Sequence, residues 1–106
     1  MPKFLSLASY TPDGAKALAK AGGSKRRTAI EEMYKKLGGR LETFYYAFGD
    51  FDVVAIGEAP DHVTAAAMSL AINASGVAQT RTIVLMTPEE MDQASKISVD
   101  YRPPGA

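Results

Sequence analysis

Apolar residues fall on both faces of an alternating run at residues 3–10, with Leu5 and Leu7 set against Phe4, Ala8 and Tyr10, which predicts a first strand. Thr11-Pro12-Asp13-Gly14 breaks the run, and Ala15 to Ala21 reads as a short helix stopped by Gly22-Gly23. Ser24 is the expected cap of a second helix, in which Ile30, Met33, Tyr34 and Leu37 form one apolar stripe. Glu31–Lys35 and Glu32–Lys36 are favourably ordered pairs on its other side, and Gly38-Gly39 ends it. Two strands are predicted over Arg40–Phe48 and Asp52–Glu58, joined by a turn at Gly49-Asp50. Pro60-Asp61 opens a helix running to about Asn73, Gln79–Met86 is a fourth strand, and Thr87-Pro88-Glu89-Glu90 starts a last helix.

The order β-α-β-β-α-β plus a terminal helix is the ferredoxin-like α+β arrangement. Right-handed crossovers place both main helices on one face of an antiparallel sheet. The expected domain covers residues 1–98, and residues 99–106 form an extended tail around Arg102-Pro103-Pro104.

The other sheet face should be polar if it meets water, but the strands carry a second apolar set. In the second strand the alternating faces read Leu41, Thr43, Tyr45, Ala47 and Phe44, Tyr46, Phe48. The third divides into Val53, Ala55 and Val54, Ile56, and the fourth into Ile83, Leu85 and Val84, Met86. The Ala-rich helix adds to this. Val63, Ala66, Ala67, Leu70 and Ala74 read as its core stripe, yet Ala65, Met68 and Ile72 form another. A helix apolar all round is buried all round. The pattern therefore predicts a homo-oligomer, a dimeric α/β barrel or a higher assembly; the alternative cover for the second stripe is the C-terminal helix.

Composition narrows the function classes. Twelve basic and twelve acidic residues cancel in a chain of 106 residues, so the basic excess that nucleic-acid or anionic-membrane binding needs is missing. The absence of cysteine removes disulfides, thiolate nucleophiles and iron–sulfur ligation. The N-terminal run is too short for a signal peptide or a membrane span, which places the expected protein in the cytoplasm.

Several short runs carry a family likeness: Ala8-Ser9-Tyr10-Thr11, Gly22-Gly23-Ser24 with Arg26-Arg27, Leu37-Gly38-Gly39, and Phe48-Gly49-Asp50-Phe51-Asp52-Val53. Thr64-Ala65-Ala66, Asn73-Ala74-Ser75-Gly76 and Leu85-Met86-Thr87-Pro88-Glu89-Glu90 extend it across residues 2–95. With these the chain resembles the GYD-domain family. The resemblance implies a dimeric α/β-barrel relative and brings no assigned activity. Phe51 stands where that family usually has Tyr, so a phenol hydroxyl is not essential there.

Chemistry-bearing residues are few. Asp52 reads first as a turn residue accepting backbone N–H bonds. Its other reading is a general base at the end of the sheet, with Tyr10 and Arg81 as partners in a cavity. Ser24, Arg26 and Arg27 at a glycine-flanked helix start suit an anionic group, either a bound phosphate or carboxylate or an acidic residue of this chain or of a neighbour. Tyr46 and Asn73 are further candidates for lining a small-ligand site, although Asn73 also reads as a helix-end cap. His62 is the only histidine, sits just after a helix cap, and has no companions for a metal site or a haem. No cofactor or metal is implied. The sequence thus favours a non-catalytic module binding a small anionic or apolar ligand or another protein, against a cofactor-free oxygenase or isomerase.

Overall fold

A computed structural model describes residues 1–105; Ala106, the end of the expected tail, lies outside the described residues. The elements are β1 (Lys3–Tyr10), α1 (Pro12–Ala21), α2 (Gly23–Lys36), β2 (Arg40–Tyr46), β3 (Val53–Glu58), α3 (His62–Ala74), β4 (Ala78–Leu85) and α4 (Pro88–Ser95). The four strands form one antiparallel sheet in the order β2-β3-β1-β4. This is the ferredoxin-like α+β fold that the element order predicts.

Helix boundaries follow local chemistry. Thr11 turns out to be the N-cap of α1, its hydroxyl accepting the Gly14 N–H at 3.1 Å and donating to the Gly76 carbonyl at 2.7 Å. With Pro12 at the first helical position, the segment expected to break the chain starts a helix instead. Gly22, not Ser24, occupies the N-cap of α2, without a side-chain cap. A Schellman motif closes α2: the Gly39 N–H reaches the Tyr34 carbonyl and the Gly38 N–H the Lys35 carbonyl. Asp61 caps α3 by accepting the Thr64 N–H at 2.7 Å, and Thr87 and Glu90 form a reciprocal capping box on α4.

One sheet face carries α2 and α3. Phe4, Tyr34, Ala59, Ala65 and Met68 make the buried centre there, flanked by Ile30, Met33 and Leu41. Gly57 leaves room for Tyr34, since a Cβ at that position would stand 2.6 Å from the phenol ring.

Three expectations change. β2 ends at Tyr46 and a loop over residues 47–52 replaces the two-residue turn, because the Asp52 N–H bonds to the Ala8 carbonyl of β1 while its carbonyl takes the Ala47 N–H. A bulge between Leu41 and Thr43 shifts the alternation in β2, so Leu41 joins Phe44 and Tyr46 beneath the helices. The two stripes of α3 are also exchanged. Ala65 and Met68 are buried, whereas Val63 and Leu70 stand 79% and 70% exposed. Both stripes are apolar, so hydrophobicity does not fix the roll of this helix. Polar side chains do: Ser69 meets Thr82 at 2.8 Å, and the Asn73 Oδ1 accepts the Thr80 N–H at 2.8 Å.

The opposite sheet face is covered by no helix. Across it run two rows of paired positions, Tyr45–Val54–Leu7–Arg81 and Thr43–Ile56–Leu5–Ile83. A charged border follows, in which Arg40 pairs with Glu58 at 3.2 Å and Lys3 with Glu42 at 2.9 Å. The C-terminal helix does not supply the cover considered above: every residue from Met86 to Gly105 is exposed, and α4 packs closely on none of the other elements.

Candidate functional site

The residues expected to act together are split among three places. Tyr10 ends β1 on the helix-covered face. Arg81 lies on the open face with its guanidinium 5.8 Å from the centre of the Phe51 ring. Asp52 sits in the loop before β3, where its Oδ2 accepts the Tyr10 backbone N–H at 2.8 Å. A carboxylate, a phenol and a guanidinium so arranged do not converge on one point.

The basic helix start is also divided. Arg27 turns along α2 to Glu31 at 3.6 Å, an exposed pair of small energetic weight. Ser24 is exposed, and its carbonyl accepts the Thr28 hydroxyl at 3.1 Å. Arg26 points the other way, half-buried between α2 and the sheet, and no carboxylate lies within ion-pairing distance of it among the described residues.

Arg26 stands beside two phenols. The Tyr46 hydroxyl donates to the Gly23 carbonyl at 3.0 Å, and Gly23 permits this approach because a Cβ there would meet the ring at 2.8 Å. Burial, with the Tyr10 phenol next to it, raises the Tyr46 hydroxyl above its ordinary pKa, and Arg26 and Arg27 partly offset this. Burial likewise raises Tyr34. Beneath this group a small cavity opens between sheet and helices, lined mainly by apolar side chains. The sequence pattern named Arg26 and Tyr46 as candidates, and the structure places both near this cavity; it did not single out Tyr34, Met33 and Met68, which read only as members of apolar helix stripes.

Asn73 faces β4, away from Arg26, and binds the edge N–H of Thr80. His62 lies edge-on to Phe4, ring centres 5.6 Å apart. No cluster of three metal-ligating side chains occurs among the described residues, and no helix there is long and apolar enough to cross a membrane.

The family model of the GYD domain matches residues 4–95. The chain belongs to the GYD-domain family. A relative of this GYD protein is the glutamine synthetase and cystathionine beta-lyase binding protein of Thermus thermophilus, 31% identical over 83 residues that span 78% of this chain and 86% of the relative. No solved structure matches the chain. The relative is named for binding two other proteins.

Proposed function

We propose that this GYD protein is a non-catalytic protein-binding module of the cytoplasm that works as a homodimer joined through its open sheet faces. The observation that carries this reading is the pair of apolar rows centred on Leu5, Leu7, Val54 and Ile56, which the chain's own helices leave uncovered. Exposed apolar surface costs roughly 25 cal/mol for each Å² against a net stability of about 5–15 kcal/mol. A second copy removes that cost by stacking sheet on sheet. The outer stripe of α3, with Val63 and Leu70, then remains free for a different protein, and glutamine synthetase is the partner to try first because the relative is named for binding it. The separation of Asp52, Tyr10 and Arg81 supports a binding role over a cavity enzyme.

Light scattering coupled to size exclusion tests the assembly. Tyr45, 69% exposed in the single chain, serves as the probe because a charge there leaves the core intact, whereas Met68 is buried and would report only on folding. The parent is expected to run as a dimer at micromolar concentration, and Tyr45→Glu as a folded monomer, because burying an unpaired charge is very costly. A parent that is a stable monomer would refute the reading.

A further inference from the structure

α2 and α3 share one sheet face without packing closely on each other. The sheet between them carries small side chains: Ser6, Ala8 and Ala55 fill its middle and Ala78 starts the edge strand β4, while larger residues stand around them. This juxtaposition leaves a cavity of about 70 Å³ under the helices, walled by Ile30, Met33, Met68 and Ile72. Such a hollow forfeits dispersion contacts along its whole lining, and filling it recovers them.

One end of the hollow is polar. Arg26 lies there, half-buried and without a carboxylate partner among the described residues, next to the phenols of Tyr10 and Tyr46. Because the Tyr46 hydroxyl already donates to Gly23, Arg26 and Tyr10 are the groups with donors to offer. A guanidinium facing an apolar chamber matches a carboxylate, which it binds through paired hydrogen bonds. We propose that this cavity binds a small carboxylate with a compact apolar body, the carboxylate on Arg26 and Tyr10 and the body between Met33 and Met68. The volume sets the class, since sites for drug-sized ligands hold about 300–1,000 Å³. Nucleotides, extended cofactors and aromatic acids are too large, since even benzene takes a hollow of about 150 Å³; propionate and isobutyrate are of the right kind. This ligand site is independent of the dimer and of any partner enzyme.

The test uses the full chain with methyl-labelled methionine, followed by NMR as propionate or isobutyrate is added, with isobutanol and chloride at equal concentration as controls. Saturable shifts of the Met33 and Met68 methyl signals are expected with the carboxylates and not with the controls. For a millimolar site, ~20 mM isobutyrate should also raise Tm by several degrees. Arg26→Gln should weaken binding at least tenfold, whereas Arg27→Gln should leave it unchanged. Methyl shifts that fail to saturate, or equal loss in both arginine variants, would overturn the proposal. So would isobutanol binding as well as isobutyrate.

Discussion

Asp52 shows how one side chain can extend a strand. The backbone ladder between β1 and β3 stops at Ala8–Val53, yet Tyr10 still has an N–H directed toward β3. The Asp52 N–H bonds to the Ala8 carbonyl at 2.8 Å, and its carboxylate then takes the Tyr10 N–H at 2.8 Å, in place of the next backbone carbonyl. The end of β1 is thereby held at the mouth of the cavity. What this position requires is an acceptor, not a negative charge. Asp52→Asn should therefore stay close to the parent in urea unfolding, while Asp52→Ala should lose about 1–2 kcal/mol by leaving a half-buried N–H unpaired. Equal losses in the two variants would show that the charge matters and return Asp52 to consideration as a base.

At the scale of elements, α3 illustrates both what sequence pattern reveals and where it stops. Its existence, its Asp61 start and its Gly76 end follow from capping residues alone. Its roll does not, because Val63–Leu70 and Ala65–Met68–Ile72 are equally apolar stripes. Only contacts distant in sequence, Ser69 with Thr82 and Asn73 with Thr80, choose between them. The bulge in β2 was hidden for the same reason: a single shifted residue leaves Leu41 apolar whichever face it takes. The element order and the second apolar face were legible, since each strand advertises its own alternation locally. The Arg26 site was half legible, because the basic run is visible while the direction of each arginine depends on Glu31 and the phenols.

The cap of α3 also carries a pH dependence. The Thr64 backbone N–H, aided by the Thr64 hydroxyl, holds the Asp61 carboxyl below its ordinary value of 3.8. A carboxyl depressed by folding contributes stability in full above its unfolded pKa, and the contribution disappears as pH falls through the folded value. Glu42 and Glu90 are lowered similarly, by the Lys3 side chain and by the Thr87 N–H. Asp61→Asn keeps an acceptor and removes only one titration, so it isolates this cap. Between pH 7 and about pH 3 the parent should lose more stability than Asp61→Asn, as read from urea midpoints. A loss of the same size in both would place the acid sensitivity elsewhere.

The whole molecule is longer than its size requires. Its radius of gyration is 16.9 Å and its longest dimension 57 Å, whereas a compact chain of this length has a radius near ~13 Å. The excess comes with an exposed α4 and the segment after it, which bring Met91, Ile97, Val99 and Tyr101 into solvent. The sheet face explains why a dimer would use them. Four strands spaced about 4.8 Å apart, over about six residues of 3.3 Å, give a footprint of roughly 400 Å². A stable interface takes about 800 Å² from each partner. The sheet alone supplies about half of that, and the C-terminal arm lying along the second copy is the nearest apolar surface to make up the difference. Ile97→Asp with Val99→Asp should therefore weaken dimerisation by tenfold or more in sedimentation equilibrium. It should leave the circular dichroism of the folded domain unchanged, because neither side chain touches the core. An unaltered dissociation constant would confine the interface to the sheet and leave the arm free for a different partner.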